Sequence, residues 1–354
     1  MDSVVEPGDP ADGVGKLFAA VPELAQTRST LRVGFSGEIQ GGLTVPAFEK
    51  EEAGERLSWG GLTVNVLHAP LTGALQGDFS LPGLAVAAAE GTVRLDGLSG
   101  SFDLVEALPL VYVGRADSSV ASVNMTQPGA ESVLVTDLRL SSQSDCVGNI
   151  AGFLQKLDIA RVEFDGGAFG PLSCDIEARN LDALALSEFQ TRLRLLAGSV
   201  GGEGADPEAF AAQVGELYLT LFSKLLAGKP ELRISRLRVG TARGDLTGSL
   251  QVKSDAPEGQ AVLNPLLLLP HVAAEAEVNA TEELLVGLLG LDVRRQAPDA
   301  TDADVDALAR QRFREQIEPL LAQGLLTRDG ATISGKAALS QGNLTVNGQQ
   351  TRLF

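Results

Sequence analysis

One short phrase recurs along this chain and limits what it can fold into: a glycine, a few residues, a second glycine or turn, then alternating apolar positions. It appears as Gly34-Phe35-Ser36-Gly37-Glu38-Ile39 and as Gly73-Ala74-Leu75-Gln76-Gly77-Asp78-Phe79-Ser80-Leu81. It returns as Gly97-Leu98-Ser99-Gly100-Ser101-Phe102-Asp103-Leu104 and as Gly244-Asp245-Leu246-Thr247-Gly248-Ser249-Leu250-Gln251-Val252. Strict alternation of this kind writes a β-strand with one buried face, and the glycines are expected to mark bends or bulges. The phrase specifies an architecture and contains no chemistry.

The same pattern fills most of residues 31–178, where Gln40-Gly41-Gly42, Asp96-Gly97 and Asp165-Gly166-Gly167 punctuate the strands. Connections this short favour antiparallel neighbours, because a parallel crossover needs a dozen residues or more. Helical periodicity takes over at Leu181, with Leu184, Phe189, Leu193 and Leu196 on one face and a glycine-rich breaker from Gly198 to Gly204. A second helix is expected with Asp206 as N-cap and Pro207 at its first position. Its stripe is Phe210, Val214, Leu217, Leu221 and Leu225, and Gly228 ends it. Strands are expected at Leu232-Arg233-Ile234, Leu237-Arg238-Val239, Asp245–Lys253 and Val272–Val278. Two more helices follow, Thr281–Leu291 and Asp302–Leu326, the latter with Val305, Leu308, Phe313, Ile317, Leu320 and Leu321 on its apolar side. Asn347-Gly348 is a hairpin turn signal.

This reading divides the chain into a leader with a short helix from Val14 to Ala25 (1–25), a β-meander (26–180) and a helix-plus-strand half (181–354). The last continues the same sheet as one elongated body. On the order of fourteen strands are expected, and twisted open sheets rarely pass ~10 without curling or splitting. The expected fold is therefore α+β and β-dominated: a long curved antiparallel β-meander, a half-pipe or groove, with several amphipathic helices packed on it. A buried aliphatic side chain contributes ~1.5–3 kcal/mol, so the hollow must be occupied by helices, another chain or lipid. Leu75, Phe79, Phe102, Leu246 and Leu250, drawn from the repeated phrase, are the candidate groove residues.

Composition narrows the function. Hydrophobic residues make up 44% of the 354, enough for a sizeable core, while aromatics are only 5%. A net charge of −18 argues against nucleic acid and against docking through a basic surface onto anionic headgroups. Solubility or a saline habitat accounts for it, with a cationic partner as the alternative. No run approaches the ~20 apolar residues of a membrane span; the best, Leu266–Leu269, is closed by Pro265 and Pro270. Met1-Asp2-Ser3 leads into Glu6-Pro7-Gly8-Asp9-Pro10 rather than a signal peptide, which reads as cytoplasmic, or as a trimmed chain with a substitute start Met.

No catalytic, cofactor or metal motif stands out. The two histidines, His68 and His271, read as surface or strand-end residues. Cys146 and Cys174 form no Cys-x-x-Cys pair, and small unpaired apolar residues are expected rather than a disulfide. There is no Gly-x-Ser-x-Gly elbow and no His-Glu-x-x-His. Gly201-Gly202-Glu203-Gly204 lacks the context of a phosphate loop. Carboxylates are plentiful enough for a glycosidase-like pair, but the aromatics that stack sugar rings are scarce. Asp299, Asp302, Asp304 and Asp306 suit a helix N-terminus better than a calcium loop. Arg233, Arg236, Arg238 and Arg243 read as a solvated strand face, with an acidic headgroup or partner as the sharper alternative. Trp59 reads as a packing anchor.

The order Trp59-Gly60-Gly61-Leu62, the Gly/Leu meander, Asn180-Leu181-Asp182-Ala183-Leu184, Pro230-Glu231-Leu232 and Leu344-Thr345-Val346-Asn347-Gly348 resembles the YdgA-like family of bacterial envelope proteins, over residues 25–354. That family is a domain-of-unknown-function group with no established catalytic residues. The resemblance implies a periplasmic protein held at the inner membrane by an N-terminal anchor and further strands, neither of which is in this sequence. The general shape is similar to long-grooved lipid-transfer β proteins, a fold-level analogy. The expectation is a non-enzymatic envelope protein without cofactors, handling lipid or another apolar ligand. The alternative is a structural or assembly module that binds another envelope protein by a sheet edge or helix face. A hydrolase ranks third.

Overall fold

A computed structural model describes residues 2–4, 21–129, 132–164, 167–199, 207–255 and 271–352. The expected leader apart from residues 2–4, the start of the helix at Val14, the Asp165-Gly166 turn, the Val200–Gly204 part of the breaker, the Asp206 cap and the Leu266–Leu269 run lie outside these residues. The chain divides into two compact units, residues 1–145 with 155–168, and residues 146–154 with 169–354. β-Strands dominate among the described residues, every recorded pairing is antiparallel, and the sheet is an open meander.

In the first unit, β1 (Asp2–Val4) is followed by a short 3-10 helix, Pro22–Gln26, and then β2 (Arg28–Val33), β3 (Ile39–Val45), β4 (Phe48–Glu52) and β5 (Glu55–Trp59). Next come β6 (Leu62–Ala69), β7 (Ala74–Ala88), β8 (Gly91–Leu108), β9 (Val111–Thr126), β10 (Val133–Val147) and β11 (Ile150–Phe164). Neighbours run β1-β2-β3-β6-β7-β8-β9-β10, and β4 pairs with β5, which pairs with β7 beyond the end of β6. β5 and β6 thus share one register along β7, joined at Gly60-Gly61. Gly60 donates to the Gly83 carbonyl at 2.7 Å, and a Cβ there would lie 2.7 Å from Gly83 N. Only glycine permits that approach, which explains the Trp-Gly-Gly motif.

A row of special backbone crosses this sheet. The registers set Gly61 opposite Pro82, Pro82 opposite Gly97, Gly97 opposite Ala121, and Ala121 opposite Asp137. Gly61 (φ 90), Gly97 (φ 66) and Asp137 (φ 50) are left-handed. On one side of the row the apolar residues are Leu62 and Val64, Phe79 and Leu81, Leu98 and Phe102, Leu138 and Leu140. On the other they are Leu57 and Trp59, Leu84 and Val86, Val93 and Leu95, Val133 and Val135, in the opposite phase on every strand. A left-handed residue interrupts the two-residue alternation of a strand. At the β5–β6 junction and on β8 and β10, sequence and backbone therefore reset their phase at the same row.

The second unit is built on β12 (Gly167–Asp182), β13 (Glu231–Thr241), β14 (Gly244–Ser254), β15 (Val272–Thr281), β16 (Thr327–Asp329), β17 (Thr332–Ser340), β18 (Asn343–Val346) and β19 (Gln349–Arg352). Their order is β12-β13-β14-β15-β17-β18-β19, with β16 on β17. The helices are α1 (Ala183–Ser199), α2 (Pro207–Ala227), α3 (Glu282–Gln296), α4 (Asp302–Gln316) and α5 (Glu318–Ala322). α3 lies on β14 and β15. Val286 and Phe313, 1% and 3% exposed, form a closed core with Ala309 and Ile333, ringed by Leu285, Leu289, Ile317, Leu321 and Leu326. α1 begins where the Asp182 carboxylate accepts from Ala185 N at 3.0 Å, an N-cap. α1 and α2 pack together through Phe189 and Tyr218, ring centroids 4.9 Å apart.

Several expectations change. The single helix expected over 302–326 is two helices, because Pro319 cannot donate to the ladder and its ring crowds the carbonyl of the preceding turn. Leu308, expected in its apolar stripe, is exposed, and Ala309 is buried instead. Leu184 is likewise exposed, whereas the α2 stripe Phe210, Val214, Leu217, Leu221 and Leu225 is half-buried or better. The helix expected over 281–291 runs to Gln296. The two short strands expected over 232–239 are one strand, broken by a register shift between Ile234 and Leu237. Among the described residues nineteen strands stand where about fourteen were expected, the surplus being short pieces of three to five residues that periodicity cannot register. Asn347 (φ 45) and Gly348 (φ 83) make the expected turn. Asn347 also donates to the Leu325 carbonyl and accepts from Lys336 N, both at 2.9 Å, tying the hairpin to the loop after α5.

Candidate apolar ligand face

Three of the five groove candidates meet on one face of the first unit. Leu75 stands opposite His68 and Leu104, Phe79 opposite Val64 and Gly100, and Phe102 opposite Gly77 and Ala116. Extended across the sheet, these registers give parallel, largely apolar rows: Val33, Ile39, His68, Leu75, Leu104; then Leu31, Gly41, Val66, Gly77, Phe102; then Leu43, Val64, Phe79, Gly100 and, beyond Ser118, Leu140. A fourth row holds Val45, Leu62, Leu81 and Leu98. Val45 and Leu81 are buried, Leu75, Phe79 and Phe102 are half-buried, and Leu31 and Val33 are exposed. Every α-helix among the described residues belongs to the second unit.

The repeated phrase has a packing role that the alternation did not reveal. A Cβ on Gly77 would lie 2.5 Å from Phe102 Cζ, and one on Gly100 would lie 2.6 Å from Phe79 Cζ. The two Gly-x-Phe triplets pair antiparallel, so each ring occupies the space left by the other strand's glycine. These glycines are neither bends nor bulges, which corrects that expectation. In three of the four phrases the first glycine, Gly73 (φ 69), Gly97 (φ 66) or Gly244 (φ 122), does adopt the left-handed backbone of a turn or bend, and in the other it is the second, Gly37 (φ 80).

Leu246 and Leu250 lie in the second unit, on one face of β14. Leu246 stands between Val239 and the buried Ala280, and Leu250 between Ile234 and Ala276. Phe102 borders a cleft of about 720 Å³ whose other walls include Arg32, Gln40, Asn65, Gln76, Asp78 and Asp103. Leu250 borders one of about 560 Å³ lined by Arg233, Gln251, Glu275, Glu277 and Lys336. Both clefts mix polar and apolar walls, with amide–carboxylate bonds in the first such as Asn65–Asp78 and Gln76–Asp103, each 3.0 Å.

The charged groups are engaged with one another. Arg236 forks onto Asp175 (2.8 and 3.1 Å), Arg238 onto Asp245 (2.7 Å), Arg233 pairs with Glu231 (3.0 Å), and Arg243 reaches Asp306 (3.9 Å). This is the solvated, paired strand face rather than a free cationic patch. Arg310 is held between Glu283 and Asp306, which raise its already high pKa further. In the first unit Arg94, donating at 2.8 Å, holds the Asp96 carboxyl below the usual carboxylate range, with burial opposing and Ser122 assisting. Burial alone would raise Glu231, but the Gln251 amide, Lys253 and Arg233 outweigh it and hold it low. Thr301 caps α4 and Asp302 and Asp304 occupy its first turn, so the aspartate cluster serves the helix N-terminus.

His68, next to last in β6, stands at a strand end as expected, and there it lies within the first apolar row between Ile39 and Leu75. Both cysteines are free thiols. Trp59 is the packing anchor expected, stacked on Phe48 at 6.2 Å. Among the described residues, no group of three or more His, Cys, Asp and Glu is placed to hold a metal ion, and no helix is long and apolar enough to cross a membrane.

Fold and face together define a β-dominated protein with an open antiparallel meander and an aliphatic sheet face. The chain belongs to a family of bacterial proteins of unknown function, DUF945, whose family model matches residues 10–353. No curated protein and no solved structure gives a significant match.

Proposed function

We propose that this chain is a non-enzymatic protein of the bacterial cell envelope, exposed to the periplasm and anchored at the inner membrane in the YdgA-like manner, whose first unit holds lipid acyl chains or another apolar ligand. The observation that carries the reading is the set of aliphatic rows around Leu75, Phe79 and Phe102. Side chains of this kind left against water would forgo ~1.5–3 kcal/mol each, so a face this broad favours an apolar occupant. Pairing of the arginines with carboxylates supports a binding role over catalysis. Gentle purification of the full chain followed by native mass spectrometry tests it: co-purified lipid is expected, and Phe79→Asp should release it. Protein free of lipid under these conditions would sink the reading. Fractionation of cells expressing the full-length gene tests the compartment.

A second reading, a module that binds another envelope protein, is favoured by the α1–α2 pair, where Leu195, Tyr218, Leu219 and Phe222 are exposed. In-cell crosslinking through Leu219 should then yield one stoichiometric protein partner.

A further inference from the structure

Three hairpin turns of the first unit open at the same end of its sheet. Ile39 faces His68, Ala69 faces Ala74, Leu75 faces Leu104 and Leu108 faces Val111, so the β2–β3, β6–β7 and β8–β9 turns project together. Successive turns are two strands apart, about 10 Å. Each carries a large apolar residue where Gly, Pro, Asn, Asp and Ser dominate turns. Phe35 is fully exposed in a turn closed by Gly37 N to Gly34 O (3.0 Å) and Gly34 N to Glu38 O (2.8 Å). Leu71, 85% exposed, sits in a turn closed by Thr72 N to Ala69 O at 3.1 Å. Leu110 adopts a left-handed backbone (φ 62), a conformation that disfavours leucine and suits glycine or asparagine. Ordered turns therefore hold Phe35 and Leu71 outward, and the half-buried Leu110 occupies its turn at some conformational cost.

We propose that this end of the first unit is a membrane-docking rim, seating Phe35, Leu71 and Leu110 in the boundary between headgroups and acyl chains of a lipid bilayer. The inference rests on the lipid reading above. The exposed rim runs directly into the apolar rows, from exposed Val33 to buried Val45 and Leu81, so a rim in the bilayer places the face where an acyl chain leaves it. Separate exposed apolar points in a line suit a fluid surface, whereas a folded partner would need a matching hollow for each. The net charge of −18 and the mixed Arg32, Glu38 and Glu106 around the turns give anionic headgroups nothing to attract, so insertion is apolar and zwitterionic lipid suffices.

Flotation of the full chain with phosphatidylcholine vesicles tests this. The wild type is expected to float with vesicles equally at low and high salt, and Phe35→Asp/Leu71→Asp to lower the partition at least about tenfold. Should the double variant fold poorly, Leu110→Gly, which relaxes its turn, is expected to keep or raise Tm while lowering the partition about threefold. Wild type that stays unbound, a variant that floats unchanged, or binding abolished by Leu219→Asp instead would overturn the rim. The parent reading fails separately: lipid absent from native mass spectra of a chain that still docks on vesicles removes the ligand face and leaves the rim.

Discussion

The two units solve the same burial problem differently. In the second, α3, α4 and α5 cover the β17 region, and Val286, Phe313 and Ile333 sit in a closed core. In the first, long strands carry a comparable density of Leu, Val and Phe, yet among its described residues Val45 and Leu81 are the buried large hydrophobics. The difference teaches that alternation alone specifies a one-sided strand and says nothing of what lies on that side. One face is closed by the chain's own helices. The other is finished by phenylalanines packed over the glycines of the neighbouring strand.

Substitutions can break or sharpen this contrast. The largest effect is expected from Phe313→Ala, about 3–5 kcal/mol in denaturant unfolding, because a closed core cannot refill the cavity. Next is Gly77→Ala. Its methyl would meet Phe102 and also the Asn65 carbonyl, 2.5 Å away, at a cost of about 1–3 kcal/mol; an unaffected midpoint would refute the interlocked pair. Phe79→Ala should cost only about 1 kcal/mol in lipid-free protein, since the ring is half-buried. Added lipid should stabilise the wild type and not this variant, while Phe313→Ala should leave the lipid response intact.

The smallest effect concerns charge. Glu231 is held below its ordinary value of 4.5 in the folded state, so its contribution is full above that value and disappears as pH falls through the lower folded pKa. Glu231→Gln should lower stability at neutral pH by about 1 kcal/mol or less, a partly screened network, with the difference closing in acid. A difference that widens as pH falls would reverse the assignment.

Antiparallel pairing, the Asn347-Gly348 hairpin and the α2 stripe were legible because each is a local pattern with a local cause. The reciprocal packing of Phe79 and Phe102 was not. It depends on which residue of β8 faces which residue of β7, and register is a long-range property. For the same reason the strand-end position of His68 was legible in sequence, while its neighbours Ile39 and Leu75 in the apolar row were not. Pro319 was visible, but the longer apolar periodicity around it concealed the break. The candidate leucines were identifiable as strand-face residues, while their division between two units required the structure.

The row from Gly61 to Asp137 bears on how such a chain tolerates change. In an ordinary strand the loss of one residue sends every later side chain to the wrong side. Here the phase is reset at a fixed line, so each strand behaves as two words separated by a space. A deletion beside Gly97 or Asp137 can be absorbed in the space, and one within Leu98–Leu104 cannot. Length variation among relatives should therefore gather along this line, making it a seam at which the family edits its strands.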